Sequence, residues 1–264
     1  MARVIAVTNQ KGGVGKTTTC VNLAASLAAT RRRVLLVDMD PQGNATMGSG
    51  VDKNALELSG YDVLTKRASP AEVIVKTDAS GFDLLPANGD LTAAEVELMN
   101  EIGREHRLRL ALNSVRENYD YILIDCPPSL NLLTVNSLSA ADSVLIPMQC
   151  EYYALEGLAA LMNTVEQIKE TVNPNLEIEG ILRTMYDPRN SLTLDVSGQL
   201  SEYFGEKVYR AVIPRNVRLA EAPSYGMPAL AYDKTSKGAV AYLALAGEMV
   251  RRHGSKKTSA AVAV

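Results

Sequence analysis

The sequence predicts an α/β fold, a single domain built on one mostly parallel sheet with helices on both faces. Three observations carry this. Short β-branched runs alternate along the chain with longer stretches of helical periodicity. Several runs are continuously apolar, the pattern of strands covered on both sides. No Pro/Gly/Ser-rich linker divides the 264 residues, and 47% hydrophobic content suffices for one sizeable core.

In chain order, strands are expected at 4–7, 34–37, 121–124, 144–146, 178–182 and 208–213. Helices are expected at 16–29, 92–118, 132–140, 155–172, 192–204 and 236–253. The first helix shows the logic: Cys20, Leu23, Ala24 and Leu27 recur at three- and four-residue spacing and make one buried stripe. Strand, helix, strand repeated in this way gives right-handed crossovers, and ligands in such sheets collect at the carboxyl ends of the strands. Residues 1–253 read as the domain, and 254–264 as a short, flexible basic tail.

Composition narrows the class. There is no run of 18 apolar residues and no signal-peptide layout, so a cytoplasmic protein is expected. Cys20, Cys126 and Cys150 are too few and too scattered for a disulfide framework, and two of them sit in apolar stretches and are read as core residues. His106 and His253 lack metal-ligand spacing and are read as surface residues. Met47, Met99, Met148, Met162 and Met185 are read as core filler, and Tyr152-Tyr153 as packing. The net charge of −3 hides an asymmetry: residues 1–180 hold 15 Lys/Arg against 23 Asp/Glu, a balance of −8, while 181–264 hold 12 against 7, or +5. Basic charge gathered in the last third suits an anionic partner.

The chemistry starts at Gln10-Lys11-Gly12-Gly13-Val14-Gly15-Lys16-Thr17-Thr18, between the first strand and the first helix. Glycines let successive backbone N–H groups face a phosphate chain, and the helix that follows adds its positive dipole end. In this pattern Lys16 reaches the β- and γ-phosphates and the Thr17 hydroxyl holds Mg²⁺. Gln10 stands where the general motif has glycine, and Lys11 is an extra lysine, so this is a deviant P-loop. Two other strands end in carboxylates: 34–37 in Asp38-Met39-Asp40, and 121–124 in Asp125-Cys126-Pro127-Pro128. Asp125 matches the Walker B position, where an aspartate orders the metal through water.

The P-loop, the segment Asp38-Met39-Asp40-Pro41-Gln42-Gly43-Asn44, and Ile213-Pro214-Arg215-Asn216-Val217-Arg218-Leu219-Ala220-Glu221-Ala222-Pro223-Ser224 together resemble the ParA/Soj family of partitioning ATPases, over about residues 2–253. The resemblance implies ATP and Mg²⁺ as ligands and slow ATP hydrolysis. It assigns Asp40 to the attacking water, with Asp38 in support. It implies that Lys11 crosses a dimer interface to the partner's nucleotide, and that Pro214 packs on the adenine while Asn216 meets its edge. Its non-specific DNA contacts match Arg189 and Arg218, with Lys207, Arg210, Arg215, Arg251 and Arg252 as weaker candidates.

These implications describe a switch in chromosome or plasmid segregation. ATP makes a homodimer that binds double-stranded DNA without sequence preference, on the nucleoid and not stably on a membrane, and a ParB-type centromere-binding protein stimulates hydrolysis. Two other deviant P-loop classes stand as alternatives. A nitrogenase-iron-protein-like redox ATPase would use cysteines such as Cys126 and Cys150 on a shared cluster. A MinD-like membrane-cycling ATPase needs an amphipathic C-terminal helix, and 254–264 shows no apolar stripe opposite a basic face.

Overall fold

The structure is a computed structural model that describes residues 1–77 and 79–262, the last eight of these by backbone alone. Its eight strands are β1 (Arg3–Val7), β2 (Val34–Asp38), β3 (Val75–Lys76), β4 (Asp83–Leu85), β5 (Tyr121–Asp125), β6 (Ser143–Gln149), β7 (Glu177–Tyr186) and β8 (Val208–Pro214). They form one sheet in the order β3-β4-β2-β5-β1-β6-β7-β8. Every pairing is parallel except that of β3 with β4. The longer helices are α1 (Lys16–Ala29), α2 (Leu132–Ala140), α3 (Ala154–Thr171), α4 (Ser191–Phe204) and α5 (Lys237–Val262).

Alternation along the central strands feeds two separate cores. Val4 and Ala6 of β1, with Leu35, Val37, Ile122 and Ile124, pack on one face with Leu138 of α2 and Leu158 and Leu161 of α3. Ile5 and Val7, with Leu36 and Leu123, pack on the other with Leu23 and Leu27 of α1 and Tyr242, Leu245 and Met249 of α5. Strands so covered have no polar face, which is why they read as unbroken apolar runs.

Three expectations change. The helix expected over 92–118 is two helices, Leu91–Glu97 and Arg107–Asn113, joined by 3₁₀ turns, because Glu101 is extended and Gly103 turns left-handed at φ 70°. The edge strand β3 and its neighbour β4 lie outside the expected set. The last helix runs past His253, so the segment expected as a tail has helical backbone as far as Val262, and 263–264 lie outside the described residues.

At the far edge of the sheet, β8 is covered by α5 through side chains as well as packing. The Glu248 carboxylate accepts the backbone N–H groups of Arg210 (3.0 Å) and Ala211 (2.9 Å), and Arg252 donates to the carbonyls of Val208 (3.0 Å) and Glu206 (2.8 Å). A second buried cluster ties α5 to the amino ends of the strands. The His253 ring contacts Glu179 Oε1 through Nε2 (2.9 Å) and the Tyr121 hydroxyl through Nδ1 (3.0 Å), and Ser143 and Tyr209 also donate to Glu179. His253 is therefore a core residue and not a surface one: its contact with Glu179, with the bonds from Ser143 and Tyr209, compensates the cost of burying that carboxylate. His106 is half-buried and bonded to Ser139.

Candidate nucleotide-binding site

The P-loop leaves the carboxyl end of β1, a central strand, and is held from three sides. Asn9 accepts the Lys11 N–H through Oδ1 (3.0 Å) and donates Nδ2 to the Pro147 carbonyl at the end of β6 (2.8 Å). Thr184 of β7 donates its hydroxyl to the Val14 carbonyl (2.8 Å), and Gln10 donates to Thr164 of α3 (3.1 Å). Gly13 and Gly15 are left-handed, at φ 72° and 87°, and Gly15 caps α1 with no side chain over the helix end. Gly12 and Gly13 are exposed, and a Cβ at either would meet no atom within 4 Å, so the loop backbone is open to solvent on this side. Val14 is buried beneath it, and Thr17 and Thr18 are half-buried on the first turn. Lys16, 8% exposed, bends back over the loop and donates Nζ to the Lys11 carbonyl (3.2 Å). Burial pushes its ammonium below the usual lysine range, against the pull of Asp125 and Asp40.

Asp38 and Asp125 end adjacent strands in register, and both are fully buried. Asp38 is saturated: it accepts the Thr46 N–H (2.8 Å), the Thr46 hydroxyl (2.7 Å) and the Asp40 N–H (3.1 Å). Asp125 is not. Its Oδ1 accepts the Cys20 thiol at 3.4 Å, while Oδ2 is buried with no hydrogen-bond partner among the described residues. Burial first, then the neighbouring charge of Asp38, raises Asp125 to about 8; burial raises Asp38 to about 6 against the bonds from Thr46. A bare carboxylate oxygen beside Thr17, under a loop built for phosphates, is the donor set a hydrated divalent cation would satisfy, so the residues present fit Mg²⁺. Asp40, half-buried on the loop beyond β2, accepts the Gln42 N–H at 3.0 Å.

Lys11 joins the cradle through its backbone, and its side chain is engaged elsewhere. Its Nζ is paired with Glu151 at 2.6 Å, with each side chain about half exposed (48% and 45%). Tyr152 and Tyr153, next to Glu151, are 74% and 71% exposed and meet edge to face, so they do not pack into the core as expected. Met47 and Met99 are likewise exposed, whereas Met148 is buried. Cys20, Cys126 and Cys150 are all buried, which leaves no thiol at the surface for a cluster shared between chains.

At the end of β8, Pro214 is half-buried and the Oδ1 of Asn216 is enclosed with no hydrogen-bond partner among the described residues, 3.0 Å from where a Cβ on Gly238 would stand. Arg189 follows β7, 87% exposed and paired with Asp187. Arg218 lies in the helix Val217–Glu221 after β8, paired with Glu221 (2.7 Å) and Asp233 (3.4 Å). Both arginines thus sit beyond the carboxyl ends of neighbouring strands, as does the P-loop. Among the weaker cations, Lys207 is bonded to the Ile178 carbonyl, and Arg252 serves the edge of β8.

Comparison with known proteins agrees with this geometry. A family model described as an AAA domain matches residues 2–178. The chain is 55% identical over 249 residues to the sporulation initiation inhibitor protein Soj of Bacillus subtilis, covering 94% of this chain and 98% of that one. It is 52% identical over 261 residues to the chromosome partitioning protein ParA of Caulobacter vibrioides, covering 98% of each.

The chain belongs to the ParA/Soj family.

A solved structure of cobyrinic acid a,c-diamide synthase from Mycobacterium smegmatis, with bound ATP analogue and magnesium, superposes at a TM-score of 0.85 with 39% identity over 97% of both chains. The ParA/Soj motifs were legible because they are contiguous. What sequence reasoning missed is the support: Thr184 and Glu151 lie 170 and 140 residues from the loop positions they hold. Asn9 alone carried a local signal, since an Asn two residues before a loop amide makes an Asx turn.

Proposed function

We propose that this protein is an ATP-dependent dimerisation switch that binds DNA without sequence preference and acts in chromosome or plasmid segregation. The observation that carries the reading is the separation of the two lysines. Lys16 is buried over its own cradle, whereas Lys11 stands at the rim and points away from it. A lysine so placed is held off its own loop by Glu151 and is exposed to meet the phosphate of a second copy facing it. Its exposed pair with Glu151 holds it by only about 0.2–1 kcal/mol, a small cost for release.

In the closed dimer Lys16 and the loop amides bind the β- and γ-phosphates, and the partner's copy of Lys11 offsets charge that develops on the γ-phosphate. Thr17 and Asp125 would hold Mg²⁺, which would supply positive charge against the phosphates. Asp40 accepts a hydrogen bond from the attacking water and orients it. Asn216, whose enclosed oxygen has no partner, accepts from the amino edge of adenine, and Pro214 packs on the ring. Arg189 and Arg218 contact DNA phosphates, and two copies side by side double the patch, which makes DNA binding ATP-dependent. A ParB-type protein accelerates hydrolysis and resets the cycle. The test is a DNA titration of wild type and Lys16→Ala with ATP, ADP and no nucleotide. Tight binding is expected for wild type with ATP only, and equal binding in all three states would remove the switch.

A further inference from the structure

The side chain that touches the metal-side carboxylate and lies outside the phosphate loop is Cys20, three residues beyond Thr17 on the same face of α1. Its thiol is fully buried and donates to Asp125 Oδ1 at 3.4 Å. Oδ2 of the same carboxylate is buried and bare. The other donors near this group have other claims on them: Thr46 and the Asp40 amide are spent on Asp38, and the Thr17 hydroxyl, which also interacts with Asp125, is the one a metal would take. A carboxylate bonded at neither oxygen would be free to rotate about its Cβ–Cγ bond, and Lys16, which feels its charge, would compete with a metal for it.

We propose that Cys20 is a positioning residue for the metal: by holding Asp125 Oδ1 it keeps Oδ2 turned toward the phosphate loop and away from collapse onto Lys16. This rests on the nucleotide–metal reading above. Residues that orient a metal's ligands typically carry tenfold or more of the metal affinity. The thiol is a weak donor, so the effect belongs at the low end of that range, and a hydroxyl at the same place should replace it.

The experiment measures binding of a fluorescent ATP analogue as a function of free Mg²⁺, for wild type and for Cys20→Val, Cys20→Ala and Cys20→Ser. Valine keeps the buried volume and removes the donor; alanine repeats the test in a smaller side chain should valine not fold; serine keeps a donor. Cys20→Val and Cys20→Ala are expected to raise the Mg²⁺ midpoint about tenfold with metal-free nucleotide affinity unchanged, and Cys20→Ser to stay within about twofold of wild type. Apolar variants with the wild-type midpoint, or a serine variant shifted as far as they are, overturn the inference while the nucleotide reading stands. A wild type whose binding ignores Mg²⁺ overturns that reading, and the inference with it.

Discussion

At the scale of single residues, the site is organised by what each charge lacks. Lys16 has lost water, Asp125 lacks a partner for one oxygen, and Lys11 has one partner on the surface. Substitutions should therefore separate cleanly. Lys16→Ala removes a charge held against the phosphates in every state and should abolish ATP binding in a filter or fluorescence assay. Lys11→Ala should bind ATP but elute as a monomer, whereas Asp40→Ala should elute as a trapped ATP dimer that still binds DNA. A Lys11→Ala protein that dimerises normally with ATP would refute the cross-interface role. Asp125 makes a second prediction, about pH. Its raised folded value means that the unfolded chain loses this proton at lower pH than the folded one, so without nucleotide the wild type loses stability as pH rises from about 4 toward 8. Asp125→Asn removes that loss. Scanning calorimetry of the nucleotide-free proteins at pH 8 should show the variant melting higher by at least about 2 °C, with the gap closing toward pH 5.

At the scale of elements, most of the fold was legible because the strongest signals are periodic and local. The first helix and Leu132–Ala140 fall where the apolar spacing puts them, and the six foreseen strands are the longer ones, of five to ten residues. The two missed strands, of two and three residues, are too short to show alternation. The break within 92–118 turned on Gly103, one glycine in a run otherwise suited to helix. His253 was misread because its partner, Glu179, lies 74 residues away on another strand. That pair anchors α5, and its contribution can be measured. Burial alone would raise Glu179, but the hydrogen bond and charge of His253, with Ser143 and Tyr209, outweigh it and bring the carboxyl down to about 2. A depressed carboxylate stabilises the fold above its ordinary value near 4.5, and this stability is lost as pH falls toward 2. Glu179→Gln should cost about 3 kcal/mol at pH 7 in urea unfolding, with the two proteins converging below about pH 3. A constant difference at every pH would show that packing, not charge, sets the cost.

At the scale of the whole molecule, charge and topology agree on one working face. The P-loop, Asp40, Asp125, Asn216, Arg189 and Arg218 all lie at or beyond the carboxyl ends of strands, although the chain is acidic overall. Arg189→Glu or Arg218→Glu should leave ATP binding and dimerisation intact while weakening DNA binding about equally for every sequence tried. Wild-type affinity should fall steeply with salt, with a shallower slope in each variant, as counterion release requires. Wild-type binding by both variants, or a flat salt dependence, would move the DNA contact elsewhere.

The side chains laid along β8 carry a consequence for life in a crowd. A protein in a crowded cell meets many copies of itself, and an open strand at a sheet margin invites endless stacking of chains into fibres. Here Glu248 and Arg252 occupy backbone groups along that margin, and the opposite margin ends in a strand of two residues. Growth by adding strands has no foothold at either end. Contacts between copies are left to other faces of the molecule, so copies can be packed densely without joining sheet to sheet.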